Sequence, residues 1–486
     1  MSDKFSMLIG GQWVEARSGE VMERHTPMDG SLVGVYPRGG REDVDAAVAA
    51  ARAAFDGGPW PAMSGPQRGA LLMKVAEKLR ERQEEMALRI TREMGRPIRE
   101  SRNEVRETAE VFECYAGRAW QSLSEAVTHV PGSMGLIIRE PVGVVAVITP
   151  WNFPLLLLSW KVAPALAVGC TVVAKPASYT PGVCLMLGEM ITEAGFPPGV
   201  FNVVTGPGSV VGDALVAHPG VDKVAFTGDT ATGRSVMRSA SGNVKRVSLE
   251  LGGKSPNIVF ADADIRAASG GAQIGIFFNQ GEVCQAGSRL LVQEEVHDEL
   301  VARLIERAKS LRMGDPMDPE TRMGAIVSRE QLDTILGYVG IGKEEGADLV
   351  YGGSRKSGGI FDRGYYMEPT IFDNVKSSMR IAQEEIFGPV VCVITFKDEE
   401  EAIRIANDTI YGLAGAVWTR DIDRAMRVVR RVKAGTMFVN CYLGAGLPLA
   451  EMPFGGFKQS GFGRELGKAG MEQYTEIKSV HMRLTS

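Results

Sequence analysis

Cysteine is scarce in this chain and widely scattered. Its 486 residues hold six (Cys114, Cys170, Cys184, Cys284, Cys392 and Cys441), and no two form a C-x-x-C pair. That argues against a disulfide framework or a zinc site and fits a reducing compartment. No metal is implied. Charge of one sign is also lacking: the net charge of −5 gives no reason to expect nucleic acid or an anionic membrane as partner. Long hydrophobic runs are absent too. The longest apolar stretch, around Leu155–Val168, is broken by Lys161 and Pro164 and is too short to span a bilayer. The opening residues, Met-Ser-Asp-Lys-Phe-Ser, lack the basic and then apolar regions of a signal peptide. These absences together lead us to expect a soluble, cytoplasmic protein. There is no internal repeat and no low-complexity segment.

What is present is an ordinary globular composition, 44% hydrophobic and 23% charged, in a chain too long for one core. At roughly 150 residues per domain, about three domains are expected. The chain starts as a hairpin (Met7–Ile9, then Trp13 and Val14). Helical periodicity follows over Arg41–Phe55, Pro66–Met94 and 97–122, and 127–141 reads as extended with a Pro131-Gly132 turn. From 142 to 260 five β-like runs (Gly143–Ile148, Thr171–Ala174, Phe201–Val204, Val221–Phe226 and Val247–Leu251) alternate with helical segments at 155–168, 181–194, 208–217 and 231–240. Such alternation means βαβ units and a parallel sheet covered on both faces. Open parallel sheets bind ligands beyond the carboxyl ends of their strands. Four of the five runs end on polar or glycine motifs: Thr149-Pro150-Trp151-Asn152, Lys175-Pro176-Ala177-Ser178, Thr227-Gly228-Asp229 before a helix, and Glu250-Leu251-Gly252-Gly253-Lys254. Singly, each could be punctuation or a solvated strand end. On one edge of one sheet they line a cleft. The theme repeats more loosely beyond 261, with a helix at 263–278, a strand at 289–293, and strand, helix, strand over 384–396, 401–410 and 413–418.

Between that helix and strand lies Asn279-Gln-Gly-Glu-Val-Cys-Gln-Ala-Gly-Ser-Arg289. Small and polar residues surround Cys284 there, so the backbone can approach a ligand and present its N–H groups. A lone cysteine is ordinarily a small buried hydrophobe. The lined cleft upstream favours a chemical role instead.

Seven ordered segments, Pro150–Pro154, Lys175-Pro176, Phe226–Gly233, Leu249–Pro256, Asn279–Arg289, Glu384–Val390 and Pro453–Glu465, resemble those of the NAD(P)-dependent aldehyde dehydrogenase superfamily, over essentially the whole length. The resemblance implies oxidation of an aldehyde to its carboxylic acid. A free carbonyl has too little electron density to expel a hydride, so a nucleophile must add first. Cys284 matches the family nucleophile, which forms a thiohemiacetal and, after hydride transfer, a thioester. Asn152 matches the side-chain donor to the oxyanion, with the Cys284 backbone N–H as the second donor. Glu250 matches the general base that activates water for thioester hydrolysis.

For the cofactor, NAD or NADP, the resemblance implies a Rossmann-like domain without G-x-G-x-x-G, and none follows the first strand of the parallel region. Gly228 and Gly233 would open the helix facing the pyrophosphate. Trp151 and Lys175 match cofactor contacts, Glu385 matches the carboxylate for the nicotinamide ribose, and Phe387 would pack beside the nicotinamide. Thr149, Pro150, Ser178, Gly208, Asp229 and Leu251 complete the implied set. Two positions depart from the common pattern. Ser178 replaces a glutamate that repels a 2′-phosphate in NAD-preferring members, so NADP should be tolerated. Asp229 replaces a serine at the pyrophosphate, where a carboxylate repels phosphate unless it turns away or caps the helix.

By family position, Phe153, Leu156, Leu157, Trp160, Phe278, Val283, Gln285, Leu443 and Phe454 would line an aldehyde tunnel. Nearly all are apolar and no arginine is among them, which favours uncharged aliphatic or aromatic aldehydes over carboxylated ones. Several could equally be plain core. The loop Cys441–Met452 carries extra residues, Leu443-Gly444-Ala445-Gly446-Leu447, expected to shape the tunnel mouth. The implied architecture is α/β: a Rossmann-like cofactor domain (1–120 and 142–252), an α/β catalytic domain (253–452) and a β-arm oligomerisation element (121–141 and 466–486). Exposed strand edges there suggest a homodimer or homotetramer. The competing readings are a CoA-acylating semialdehyde dehydrogenase, a non-catalytic binding protein, and a cysteine esterase that leaves the cofactor cleft unused.

Overall fold

A computed structural model describes residues 3–121, 123–444 and 446–484. Ala445, one of the extra loop residues, lies outside the described residues. Two twisted α/β sheets carry the molecule. The first has eight strands, and its centre is five parallel strands in the order Arg246–Glu250, Lys223–Thr227, Val144–Ile148, Thr171–Lys175, Phe201–Val203. These strands are short apolar runs, buried along nearly their whole length, as expected when helices cover both faces. The helices Gly65–Glu81, Ile98–Arg118, Leu156–Val168 and Gly182–Glu193 contribute to the core on one face, and Arg41–Asp56 and Thr230–Ala240 to that on the other.

The strand Val144–Ile148 comes first in chain order yet sits in the middle, so strand order reverses between it and Lys223–Thr227. A crevice opens at such a reversal. The loops leaving it are Thr149–Asn152 and Gly228-Asp229, two of the motifs read from the sequence. Antiparallel strands extend both edges: Met7–Ile9 and Gln12–Val14 on one side, and on the other Gly461–Phe462, which comes from the far end of the chain. The last pairing carries the Pro453–Glu465 segment against Glu250.

The second sheet has seven strands, in the order Asp348–Tyr351, Thr370–Asp373, Val390–Phe396, Arg289–Gln293, Pro256–Val259, Ala414–Trp418, Thr436–Val439. All but the first pairing are parallel. The Cys284 loop feeds the central strand Arg289–Gln293. A third, antiparallel sheet pairs Thr475–Arg483 with Ser133–Pro141 and Glu125–Val127. Val127, Val130, Ile477 and Leu484 are exposed on or near it.

Helical periodicity over Pro66–Met94 leads to the expectation of one helix, and the structure has two, Gly65–Glu81 and Gln83–Met94. Arg82 breaks them at φ −101°, ψ 21°, its guanidinium held by Glu85 and Glu189. No glycine or proline marks the break, so the apolar period runs through it. The segment 208–217 is likewise split, into a π-helical turn Gly208–Gly212 and a short helix Asp213–Ala217. The strand Pro256–Val259 escaped the sequence reading because it opens on proline, which is tolerated at a strand's first residue.

Arg289 shows how the second sheet is tied to the catalytic loop. Its fully buried guanidinium donates to the carbonyls of Lys254 (2.9 Å), Ile405 (2.9 Å) and Ala406 (2.7 Å). The last two are end carbonyls of the helix Glu399–Asn407; that of Ile405 also accepts from the Asp408 N–H at 3.1 Å, whereas that of Ala406 has no partner within the helix. Arg289→Met should leave all three carbonyls buried without these partners, at a cost of about 3 kcal/mol or more. A urea titration of the variant should show the first unfolding transition at clearly lower denaturant, and an unchanged midpoint would contradict this account.

Candidate active site

Cys284 lies between the helix Ile265–Phe277 and the strand Arg289–Gln293, after three consecutive residues in left-handed backbone geometry: Asn279 (φ 49°), Gln280 (φ 56°) and Gly281 (φ 73°). Asparagine and glycine adopt this geometry readily, whereas glutamine does so at a cost. Gln280 is held there by its amide, which donates to the Ala325 carbonyl and accepts from the Gly324 N–H, both at 3.3 Å. Gly281 is required because a Cβ would strike the Gly388 carbonyl. The Asn-Gln-Gly run is thus the geometry that delivers the thiol. On the other side Tyr442 donates its hydroxyl to the Gln285 carbonyl at 2.8 Å.

Asn152 reaches this loop from the crevice of the first sheet. It is buried, and its Nδ2 donates to the Glu282 carbonyl at 3.0 Å, two residues before the cysteine. The side-chain amide has two hydrogens, so one remains for a further acceptor. Glu250 ends its strand buried, with Oε2 making no hydrogen bond among the described residues. Its carboxyl is held well above the usual carboxylate range, first by burial and then by the charge of Glu465, with Lys161 and Arg464 acting the other way. Glu465 in turn pairs with buried Lys161 at 2.6 Å. The Cys284 thiol is pushed up to about 12, first by burial and then by the carboxylates of Glu385 and Glu250. The three residues picked from the sequence as chemical partners therefore converge on one site, Asn152 and Glu250 buried and Cys284 half-buried.

The cleft residues divide in two. Lys175 is buried at the end of its strand with no hydrogen bond or ion pair among the described residues, and burial pushes its ammonium down to about 8. Glu385 is the reverse case, a carboxylate pushed up to about 7 by burial whose only hydrogen bond among the described residues is from the Gly253 N–H at 3.1 Å. Trp151 packs edge-on to both Tyr179 (6.4 Å) and Phe387 (5.3 Å). The Thr149 N–H donates to the Lys175 carbonyl, and that of Gly228 to the Glu250 carbonyl. Gly233 packs against Leu251, where a Cβ would approach its side chain to 2.5 Å. Ser178 donates to the Gly206 carbonyl at 3.3 Å. Pro150 and Gly208 fall on the connections after the first and third strands. An unpaired buried cation, an under-bonded half-buried carboxylate and a helix opening at Gly228 fit a ligand bearing phosphates and hydroxyls, as a nicotinamide dinucleotide does.

Asp229 behaves otherwise. It is the N-cap of the helix Thr230–Ala240, and its carboxylate accepts from the Thr232 N–H (2.9 Å) and hydroxyl (2.5 Å). It faces its own helix, which is why a carboxylate is tolerated beside a phosphate position.

In the would-be tunnel, Phe153 stacks on Phe278 (6.1 Å), and Trp160 tilts against Phe454 (5.1 Å). Leu156 and Leu157 are buried in the core beneath them. Val283 packs into the core of the second sheet, Gln285 is half-buried, and Leu443 is half-buried in left-handed geometry at φ 57°. Sequence reasoning missed Glu465 and Lys161 as neighbours of Glu250. A signal existed, because a single lysine within an otherwise apolar helix demands a partner.

The fold and the site define an oxidoreductase that uses a nicotinamide dinucleotide, and comparison with known proteins narrows the class. The aldehyde dehydrogenase family model matches residues 13–480. Betaine aldehyde dehydrogenase of Bacillus subtilis is 47% identical over 477 residues, covering 98% of this chain and 97% of that protein. Aldehyde dehydrogenase family 2 member C4 of Arabidopsis thaliana is 45% identical, covering 99% and 95%. Among solved structures, NAD-dependent aldehyde dehydrogenase of Sinorhizobium meliloti superposes with a TM-score of 0.97 at 43% identity, covering 100% and 96% of the two chains. Betaine aldehyde dehydrogenase of Staphylococcus aureus, solved with NAD+, gives 0.96 at 41% identity, covering 99% and 95%. The chain belongs to the aldehyde dehydrogenase family, enzymes that oxidise an aldehyde to its carboxylic acid with NAD or NADP.

The thiol's setting has a measurable consequence. Below its pKa the reactive thiolate fraction rises roughly tenfold per pH unit. Without cofactor, alkylation of Cys284 by iodoacetamide should climb without a plateau between about pH 7 and about pH 9. Glu385→Gln removes one repelling charge, which lowers the thiol pKa and should speed alkylation at fixed pH. A plateau within that range, or an unchanged rate in the variant, would contradict the assignment.

Proposed function

We propose that the chain converts its aldehyde through a covalent intermediate on Cys284. The observation that carries the reading is the convergence of half-buried Cys284 with buried Asn152 and Glu250, from three separate segments, in one site. Glu250 takes the Cys284 thiol proton and passes it on to solvent, the sulfur adds to the carbonyl carbon, and the negative charge that develops on oxygen is met by the free Asn152 amide hydrogen and the Cys284 backbone N–H. A preorganised donor of this kind contributes about 3 kcal/mol to transition-state stabilisation. When bound, the nicotinamide supplies the two-electron acceptor for the hydrogen on that carbon. Glu385 would take the nicotinamide-ribose hydroxyls, Lys175 would contact the cofactor with its ammonium, the helix start at Gly228 would meet the pyrophosphate, and Trp151 with Phe387 would wall the ring end. Glu250 then takes a proton from water. The resulting hydroxide attacks the thioester carbon, the C–S bond breaks, and the acid leaves with Cys284 restored. A carboxylate whose basicity is raised by burial and by the charge of Glu465 suits that task, and the Glu465–Lys161 pair beside Glu250 offers a route for the proton it gains.

The tunnel favours uncharged aliphatic or aromatic aldehydes, since its walls are apolar and carry no arginine. A second reading has its own support: four aromatic rings (Phe153, Trp160, Phe278 and Phe454) can hold a quaternary ammonium group by cation–π attraction, and two of the relatives are betaine aldehyde dehydrogenases. Ser178, uncharged, leaves room for the extra phosphate of NADP. For the architecture, the reading supported by the sheets is a cofactor domain over 1–120 and 142–252, a catalytic domain over 253–452, and an arm formed by 121–141 and 466–486. The exposed apolar residues near that arm support a homodimer or homotetramer. No helix of the described residues is long and apolar enough to cross a membrane.

The decisive assay is reduction of NAD and of NADP with hexanal, betaine aldehyde and a carboxylated aldehyde, without CoA. Wild type should turn over the first or second and neglect the third. Cys284→Ala should abolish turnover, and Glu250→Gln should give one burst of reduced cofactor and stall as acyl-enzyme. Turnover that requires CoA would sink the hydrolytic mechanism, and equal use of the carboxylated aldehyde would sink the substrate reading.

A further inference from the structure

We propose that Arg96, locked by Glu104, is a positioning residue that aims the Asn152 amide at the reacting oxygen. The inference rests on the reading of Asn152 as the oxyanion donor. Asn152 sits on an irregular loop, where nothing in the secondary structure dictates its direction. Its backbone carbonyl accepts from Arg96 Nη1 (3.3 Å) and from Asn279 Nδ2 (3.2 Å). Its side-chain Nδ2 donates to the Glu282 carbonyl, which also accepts from Asn279 Nδ2, both at 3.0 Å. Carbonyl and side chain hang from one Cα, so anchoring the first sets the second. One amide hydrogen is consumed by Glu282, and the other is left pointing in a direction these bonds impose.

Arg96 and Glu104 are both buried, and their side chains form an ion pair. The guanidinium also donates from Nε to the Ser101 hydroxyl at 3.2 Å and lies over the Phe153 ring at 5.2 Å. Glu104 Oε1 accepts from the N–H groups of Leu155 (2.8 Å) and Leu156 (2.9 Å), where the helix Leu156–Val168 begins. A single buried pair therefore grips the loop on the C-terminal side of Asn152 at three backbone groups. Burying such a pair is often no more stabilising than well-packed apolar residues of the same volume. Stability alone is a poor reason for its presence, whereas a donor that must sit within a fraction of an ångström of its target is a good one.

The test is a double-mutant cycle on the full-length enzyme, read as the rate of the first turnover. Arg96→Lys keeps a cation for Glu104 but loses the planar fork that reaches Ser101 and the Asn152 carbonyl together. In wild type it should slow the first turnover by roughly ten- to a hundredfold, with NAD affinity (by tryptophan fluorescence) within about twofold of wild type and the thermal midpoint nearly unchanged. In the Asn152→Ala background the same substitution should change the rate less than about twofold, because the group it aims is gone. Equal losses in both backgrounds would mean general damage and overturn the proposal, as would an undiminished rate for Arg96→Lys alone. Should Asn152→Ala itself retain full activity, the fault lies with the oxyanion reading. If Arg96→Lys does not fold, Glu104→Gln enters the same cycle. That change frees the guanidinium while leaving an acceptor for Leu155 and Leu156, and the same outcomes decide.

Discussion

Burial of charge without full compensation is the constraint on which this site depends. Glu250 and Lys175 lie buried and Glu385 half-buried, each with fewer partners than its charge calls for. In an ordinary core that would be a defect, because an unpaired buried ion either shifts its pKa or destabilises the fold. Here the deficits face one crevice, and in the proposed function each would meet a group that a dinucleotide, an aldehyde or a water molecule brings. The same burial that raises Glu250 toward a useful base also suppresses the Cys284 thiolate.

The scaffold supports this by tying distant segments together at backbone groups. The strand Gly461–Phe462 joins the first sheet beside Arg246–Glu250 and brings Glu465 against Glu250. Arg289 closes the end of the helix Glu399–Asn407 while starting the strand that follows the nucleophile. Asn279 bridges the carbonyls of Asn152 and Glu282, which ties the Asn152 loop to the Cys284 loop. Side chains that bond to backbone fix position with little torsional freedom, which suits reacting groups that must be aligned closely.

The five parallel strands of the first sheet, most of its helices, and the cleft motifs at its strand ends were legible because they follow strong local rules: short apolar runs, helical periodicity and polar or glycine punctuation. Cys284, Asn152 and Glu250 were legible through family resemblance carried by their flanking residues. The break at Arg82 was not, because no residue there disfavours helix. The capping by Asp229 was named only as one option, since its choice between solvent, phosphate and Thr232 depends on local geometry. Lys161 stood out as an interruption, but its partner lies about three hundred residues away and no periodicity links them.

The chain by itself determined that it would form covered parallel sheets with a lined edge, because burial pattern and turn chemistry are properties of neighbours in sequence. Only the tertiary structure decided which carboxylate sits beside which, how far Glu250 and Cys284 are shifted, and what grips Asn152. Those are long-range quantities. Desolvation and Coulomb interaction depend on distances between segments that the sequence leaves far apart, and folding alone sets them.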